Sequence, residues 1–480
     1  MADRGTTVSQ PVAPCARYSP VRREVNEVGN SKKRIATLAV AGLAGSLTLT
    51  ACAGAGGGGS AGDEGSSEIN VIMVGNPQMQ DIEQLTEDSF TADTGITVNY
   101  TILPENELRD KVTQDVATQA GQYDVVSVGA YEVPIWAQNG WLQPLDSYVD
   151  DDSDYNADDL LEPMVESLSY DDSLYALPFY GESSFLMYRK DVLEKEGLTM
   201  PERPTWDEVA TIAAKVDGAE KGMKGICLRG LPGWGEMFAP LTTVVNTFGG
   251  TWFEEDWTPK VNSPEFTEAV NFYVDLIKKH GEAGASQAGF TECLNAMSQS
   301  KVAMWYDATS AAGSLEDPSV SGVAGKIGYA YAPVKETDSS GWLWTWSWAM
   351  PETTQNADAA AEFMKWATSS DYEQLVGEKL GWSRVPAGKR ESTYSIPEYA
   401  DAAGDFGPIT LKSIEEADPV SPGVQPRPTV GVQFVDIPEF ADLGTKVSQD
   451  ISAVIAGDGT VEDALDNGQK LAEDVAANYQ

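Results

Sequence analysis

The sequence predicts an α/β protein of two lobes, with a hinge of several chain crossings between them. Its 480 residues are too many for one ordinary domain but enough for two lobes with separate cores. Early in the folded part, short apolar runs alternate with helical stretches, which is typical of a mostly parallel sheet covered by helices. Two later strand-like segments, 177–188 and 302–306, are expected to pass from one lobe to the other.

Three strands are predicted in the first lobe, at 69–74, 96–102 and 123–128. The first and third are short apolar runs, and the second alternates between apolar and polar residues, as a half-buried strand does. Helices fill the intervals between them. Ligands of such sheets bind beyond the carboxyl ends of the strands. Asn76 and Tyr131 follow two of these ends and are therefore candidate binding residues.

Helix starts are visible in the second lobe. Thr205 and Glu208 have the spacing of a capping box, and Ser263 followed by Pro264 supplies an N-cap and a first-turn proline. The predicted boundaries are lobe I over 68–177 and 307–367, and lobe II over 178–306 and 368–480.

The first 67 residues have the pattern of a secretion leader and a tether. Basic residues precede an apolar run over 35–50, which is too short for a membrane-spanning helix. The quartet Leu-Thr-Ala-Cys ending at Cys52 matches the lipobox of bacterial lipoproteins. We therefore predict a lipoprotein signal peptide with an extended n-region over 1–51, and a lipidated cysteine with a Gly/Ser tether over 52–67. The alternative is a lone buried thiol after a chance apolar run.

Two further cysteines, Cys227 and Cys293, lie in the folded part. An oxidising compartment would allow them to form a disulfide. Two reduced, buried thiols are the alternative.

Charge and composition exclude several classes of function. The net charge of −42 argues against a nucleic-acid partner, because phosphate repels such a surface. With His280 as the single histidine, a Ser-His-Asp hydrolase or a multi-histidine metal site is hard to build. Asp150, Asp152 and Asp154 match the start of an EF-hand loop, but its turn glycine and bidentate glutamate are absent. We predict no metal and no cofactor.

Tryptophans form an unusual pattern. Four of them, Trp342, Trp344, Trp346 and Trp348, alternate along one predicted strand, and period two places them on a single face. Buried indole N–H groups need partners, so ordinary cores rarely use so many. A ring face fits the C–H patches of a carbohydrate, and we expect one or two of these rings to contact ligand. The alternative is packing between layers.

Isolated charged residues interrupt the aromatic segments. They are Glu182, Arg229, Glu236, Asp307 and Arg384. Carboxylates accept hydrogen bonds from hydroxyls, and the planar guanidinium donates to hydroxyl oxygens. The alternative for each is an arginine–carboxylate pair that braces a loop.

Several longer stretches resemble a known family. They are 224–238, which contains Leu-Pro-Gly-Trp-Gly-Glu, 245–252, 290–297, 303–309 and 380–386. Over about residues 69–399 the chain resembles the extracellular solute-binding proteins of carbohydrate ABC importers, in particular their sorbitol/mannitol-binding branch. The resemblance implies a two-lobed periplasmic-binding-protein-like fold that closes on a ligand in the cleft.

The resemblance also implies a function without catalysis. A linear polyol of the sorbitol, mannitol or arabitol type would bind between the lobes, and a monomer on the outer face of the cell membrane would deliver it to the importer's transmembrane subunits. The alternatives are a mono- or oligosaccharide ligand, or a secreted glycoside hydrolase, which needs two carboxylates flanking one bond. The predicted ligand-binding residues are Asn76, Tyr131, Tyr180, Glu182, Arg229, Trp234, Glu236, Trp252, Asp307, Trp344, Trp346 and Arg384.

Overall fold

Two β-sheets organise the protein in a computed structural model that describes residues 68–150 and 152–480. The predicted signal peptide, Cys52 and the tether lie outside the described residues. The strands are β1 (Glu68–Val74), β2 (Thr97–Leu103), β3 (Val125–Gly129), β4 (Ser169–Tyr170), β5 (Ser173–Leu174), β6 (Ala176–Glu182), β7 (Ser184–Arg189), β8 (Met304–Ala308), β9 (Ile327–Tyr331) and β10 (Trp344–Ala349).

The first sheet has the strand order β2-β1-β3-β10-β6. Strands β1, β2 and β3 are parallel, whereas β10 runs antiparallel to both of its neighbours. The alternating strands and helices predicted for this lobe are confirmed. Every residue of β3 is buried, as expected for a strand covered on both faces. The carboxyl ends of β1, β2 and β3 therefore lie at one edge, where a ligand would bind.

The second sheet is smaller and has the order β8-β7-β9, with both neighbours antiparallel to β7. A separate two-stranded hairpin joins β4 and β5. Strand β6 ends at Glu182 and β7 begins at Ser184, so one nearly continuous segment crosses from the first sheet to the second. The predicted crossing over 177–188 is present, and Ser183 at its centre is buried.

Helices surround both sheets. They are α1 (Pro77–Thr86), α2 (Ala92–Thr94), α3 (Glu105–Thr118), α4 (Glu132–Gln138), α5 (Asp146–Val149), α6 (Glu162–Ser167), α7 (Lys190–Lys195), α8 (Trp206–Val216), α9 (Phe238–Thr247), α10 (Pro264–His280), α11 (Phe290–Ser298), α12 (Ala311–Glu316), α13 (Ala357–Thr368), α14 (Ser370–Lys379), α15 (Pro397–Ala402), α16 (Gly407–Glu415), α17 (Phe440–Ala456) and α18 (Val461–Ala476). Across the described ranges, none of these helices has both the length and the apolar character needed to span a bilayer.

The two predicted helix starts are confirmed. Thr205 and Glu208 form a reciprocal capping box at α8, in which the Glu208 backbone N–H donates to the Thr205 hydroxyl. At α10 the Ser263 hydroxyl accepts from the Phe266 backbone N–H, and Pro264 occupies the first turn. Each cap satisfies a backbone N–H that has no partner within its helix.

The sheet pairing corrects the predicted lobe boundaries in three places. Residues 178–182 of β6 pair with β10 in the first sheet, although the sequence predicts them in lobe II. Residues 327–331 form β9 in the second sheet, although the sequence predicts them in lobe I. After residue 367, Tyr372 of α14 still packs against Phe179 of the first sheet. An apolar run identifies a strand, but the sequence does not show which sheet completes its hydrogen bonds.

A disulfide joins Cys227 to Cys293, which are 66 positions apart in the sequence. Cys293 lies on α11, and Cys227 lies in an extended segment whose backbone pairs with Trp305 of β8. The bond therefore fixes a loop of the second lobe two residues before Arg229.

Replacing both cysteines with alanine should destabilise the protein by about 4 kcal/mol, because the bond restricts a long loop in the unfolded chain. Urea unfolding of the oxidised protein and of the Cys227→Ala/Cys293→Ala variant measures this difference. Wild-type protein treated with a reductant separates loss of the bond from loss of the side chains. Two titratable thiols in the untreated native protein would contradict the bond.

Candidate binding site between the lobes

A cavity of about 360 Å³ lies where the two sheets face each other. Its first wall belongs to elements of the first sheet and the helix beside it: Asn76, Glu105, Arg109, Glu182, Trp344 and Trp346. Its second wall belongs to the second lobe: Arg229, Gly235, Ala239, Phe290, Ala308 and Ser310. Gln433 and Phe434, from the segment before α17, close one end, and Trp342 completes the lining.

The lobes also touch directly beside this cavity. Asn106 Nδ2 on α3 donates to the Pro232 carbonyl at 3.1 Å, and Gln78 Nε2 on α1 donates to the Ser310 carbonyl at 2.9 Å. Because both bonds join one lobe to the other, the described conformation encloses the cavity rather than leaving an open cleft.

Arg229 is the central cation of the second-lobe wall. Its Nε and Nη2 donate to the two carboxylate oxygens of Asp307 at 2.8 and 2.6 Å, and Nη1 lies 3.2 Å from Glu236 Oε2. Burial opposes the charge, but Asp307 and Glu236 outweigh this effect and raise the pKa of the guanidinium. Asp307 is fully buried and also accepts from the Trp305 indole N–H at 3.0 Å. The arginine–carboxylate brace, which was the alternative interpretation, is thus present. Arg229 also lines the cavity, whereas Asp307 and Glu236 are not among its lining residues.

Two other carboxyl groups of the site have perturbed titration. Burial, followed by the nearby charge of Glu105, raises the pKa of Glu236 to about 7. Burial raises the pKa of Glu182 to about 8, although the Ser310 hydroxyl donates to its Oε2 at 2.5 Å. Burial favours the protonated form of a carboxyl group when nearby cations and hydrogen bonds do not fully stabilise its negative charge.

A second arginine, Arg109 of α3, was not predicted. Its Nη2 contacts Glu105 Oε1 at 2.8 Å, and its Nη1 pairs with Glu132. The guanidinium carbon lies 4.2 Å from the ring centre of Trp234 and 5.0 Å from that of Trp346, within the range of cation–π attraction. Helix α3 follows the carboxyl end of β2, so the strand-end rule could have found this residue.

The tryptophan pattern is divided between the site and the core. Trp342, Trp344 and Trp346 line the cavity, and the rings of Trp344 and Trp346 meet edge to face at 5.9 Å. Trp348 lies deeper along β10 and packs against Phe179 and Phe363. Of the four rings predicted on one face, Trp348 therefore belongs to the core, because β10 runs from the cleft edge into the interior of its lobe; contact of the other rings with ligand stays a prediction.

Three predicted residues lie just behind the lining. Tyr180 is buried, and its hydroxyl accepts from Asn76 Nδ2 at 2.9 Å, which orients that amide at the cavity. Tyr131 and Trp234 pack with their ring centres 4.5 Å apart, and both contact Phe434. These residues support the wall and do not form its surface.

Two predicted site residues lie elsewhere. Trp252 packs against Phe238, Phe266 and Phe440 in the core of the second lobe. Its place in an aromatic stretch does not distinguish a core ring from an exposed one.

Arg384 forms ion pairs with Asp81 after β1 and Asp317 after α12, so it links the two lobes away from the cavity. Arg384 therefore forms an arginine–carboxylate brace, which was the alternative interpretation of this residue.

The acidic loop near residue 150 also has a structural role. Asp152 pairs with Lys365 at 2.8 Å, and its Oδ1 accepts from the backbone N–H groups of Asp154 and Tyr155. Within 68–150 and 152–480, no group of three or more His, Cys, Asp or Glu residues could hold a metal ion.

Comparison with known proteins identifies the family. The profile of the bacterial extracellular solute-binding proteins matches residues 76–374. The chain belongs to this family. A mannitol-binding protein of Pseudomonas aeruginosa is 40% identical over 408 residues, which is 85% of this chain and 92% of that protein.

Solved structures agree with this assignment. An ABC transporter solute-binding protein of Agrobacterium vitis S4, determined with bound D-mannitol, is 47% identical, has a TM-score of 0.84, and the match covers 86% of this chain and 99% of that one. A ribitol complex from Agrobacterium radiobacter K84 is 23% identical with a TM-score of 0.75, covering 85% of this chain and 98% of that one, and supports the fold alone. The predicted two-lobed fold and family are confirmed, and membership of an extracellular family implies a location outside the cytoplasm.

Asp307→Asn should destabilise the ligand-free protein by about 3 kcal/mol, because it leaves the buried Arg229 with a weaker partner and presents an amide donor to the guanidinium. Urea unfolding without ligand measures this change. Asp207→Asn is the matched control, since it breaks an exposed ion pair with Lys335 and should have little effect. Equal effects of the two substitutions would contradict the proposed importance of the buried pair.

Proposed function

We propose that the protein captures a linear polyol in the cavity between its lobes and delivers it to an ABC importer, with D-mannitol as the first candidate. The observation that carries the proposal is the 47% identity, over 86% of the chain, to a solute-binding protein that holds D-mannitol. The relative from Pseudomonas aeruginosa that is named a mannitol-binding protein supports the same ligand class.

The chemistry of the cavity supports a neutral, hydroxyl-rich ligand. Trp344 and Trp346 offer apolar ring surface to C–H groups. Asn76 and Glu182 on the same wall, and Arg229 on the opposite wall, offer hydrogen-bond donors and acceptors. Hydrogen bonds between charged groups and a neutral ligand contribute about 1.5–3 kcal/mol each.

The enclosure of the cavity by both lobes favours a small ligand over an oligosaccharide. The interlobe bonds from Asn106 and Gln78 restrict the extension of the cavity. A single polyol chain is therefore a better candidate than a longer saccharide. We propose binding without catalysis, as the names of the relatives indicate.

The location and partners follow from the leader and the family. We propose that Cys52 carries a lipid after cleavage of residues 1–51, and that residues 53–67 tether the folded part to the outer face of the cell membrane. A monomer held in this way could present its loaded cleft to the importer's transmembrane subunits.

Addition of D-mannitol should raise the melting temperature, because a ligand that binds only the folded state stabilises it by about 2.7 kcal/mol at 100 times its Kd. Trp346→Ala should weaken binding, since it removes a ring from the cavity wall. Calorimetry measures the affinities, and thermal unfolding without ligand measures stability.

Trp252→Phe is the matched control for this experiment. It changes a ring of the second-lobe core and should lower the melting temperature while D-mannitol affinity stays within a few fold. An affinity for an amino acid or a disaccharide, with none for any polyol, would contradict the ligand assignment.

Cys52→Ser should abolish lipid attachment, because the hydroxyl cannot replace the thiol that receives the lipid. Metabolic lipid labelling and membrane fractionation of cells that express either form measure this. Cys15→Ser is the control within the same leader and should leave both readouts unchanged. Equal labelling of the Cys52→Ser form would rule out this anchor.

A further inference from the structure

Carboxylates outnumber cations among the residues that line the cavity and their ion-pair partners. Each arginine is shared between two carboxyl groups: Arg109 with Glu105 and Glu132, and Arg229 with Asp307 and Glu236. Glu182, which lines the cavity itself, is a fifth carboxyl group. In the part of the chain that the structure describes, no cation forms an ion pair with it. Its charge is therefore the one that the site does not balance directly.

Few other groups around Glu182 stabilise the negative charge of its carboxylate. It ends β6, opposite Trp344 of β10, and its side chain is buried. The Ser310 hydroxyl donates a hydrogen bond to Oε2 of Glu182, whereas no donor among the described residues contacts Oε1. The charged groups that face it are Arg229, which favours the carboxylate, and Asp307 and Glu105, which oppose it.

Closure of the lobes determines how much water this carboxylate retains. Glu182 and Ser310 lie at the crossing between the sheets, beside the hydrogen-bonded backbone of Ser183 and Thr309, so their contact does not depend on closure. Arg229 and Phe290 of the second lobe line the cavity together with Glu182, so closure of the lobes covers this carboxylate. In an open cleft, water would solvate the carboxylate. In the closed cavity that solvation is lost, and a buried charge without a cation favours neutralisation.

We propose that Glu182 takes up one proton from solvent when the lobes close on the ligand, and that the resulting carboxylic acid donates a hydrogen bond to a ligand hydroxyl. The inference rests on the proposed polyol function. The carboxylate and a solvent proton give the acid, with no bond to the ligand formed or broken. Because Oε2 accepts from Ser310, the acid proton is on Oε1, the oxygen that no donor among the described residues contacts.

The sign of the pH dependence follows from the two states. The closed complex holds one more proton than the open protein, so affinity is highest at low pH and falls as the pH rises. The fall begins above the ordinary range of a carboxyl pKa and ends near the raised pKa of Glu182, about 8. Within that window, affinity should change by about tenfold per pH unit. Glu236, whose pKa is raised by burial to about 7, can add a smaller uptake of its own.

Calorimetry with D-mannitol tests the proposal. Titrations at about pH 7 in buffers of different ionisation enthalpy give the number of protons taken up, and titrations from about pH 6 to pH 8.5 give the slope of affinity. We expect an uptake of about one proton by the wild-type protein. Glu182→Gln should lose about one proton of uptake and should bind more tightly than the wild type at about pH 8.5, because the amide has no charge to neutralise.

The controls separate Glu182 from other groups. Glu194→Gln changes an exposed carboxylate on α7 and should retain the wild-type uptake and slope. Unchanged uptake in Glu182→Gln would overturn the assignment to this residue. If that variant does not fold, the wild-type buffer series still decides, since binding of D-mannitol without proton uptake contradicts the proposal.

Two further outcomes would overturn the inference in different ways. Tighter binding of 1-amino-1-deoxysorbitol than of D-mannitol, with no proton uptake, would mean that Glu182 stays ionised and pairs with the ammonium group. Absence of binding for any polyol across the pH range would overturn both the polyol function and this inference. Binding without proton linkage would leave the polyol function intact and reject only the role of Glu182.

Discussion

The Arg229–Asp307 pair constrains the site more than any other contact, because both groups are almost completely buried. Neither charge could remain in the interior without the other. Asp307 is fixed by β8 and the Trp305 indole, and Arg229 by the segment that the Cys227–Cys293 bond holds. One face of the cavity is therefore rigid before any ligand arrives. Preorganised groups of this kind lose little freedom on binding.

The tryptophans show how one strand can serve both the core and the site. Trp348 fills the space between the sheet and α13, whereas Trp344 and Trp346 reach the cavity at the other end of β10. The Arg109 guanidinium packs over Trp346, which joins the aromatic wall to the ion pairs of α3. Loss of a ring at the cavity would consequently disturb the position of a charge as well as a stacking surface.

Local patterns predicted the parts of the fold that depend on neighbouring residues. The capping box at Thr205 and the strand that ends before Asn76 depend on a few adjacent side chains, and both were found from the sequence. The lobe assignment of β9 depends on pairing with a strand about 140 positions earlier, which periodicity does not encode. Arg229 and Arg384 both lie in aromatic segments of the sequence. Only the tertiary fold shows that Arg229 lines the cavity and that Arg384 links the lobes. Gln433 and Phe434 were missed because no pattern distinguishes their segment.

The site exists only when both lobes contribute to it, and this links affinity to closure. Part of the ligand's binding free energy must offset the cost of closing the cleft and of removing water from its carboxyl groups. The bonds from Asn106 and Gln78 and the bridge through Arg384 reduce the cost of closing the cleft, since they join the lobes directly. The excess of carboxylates raises the cost of removing water from the cavity. Selectivity for a neutral ligand therefore depends on how the protein neutralises this excess negative charge. An ionised Glu182 would favour a cation at the same position.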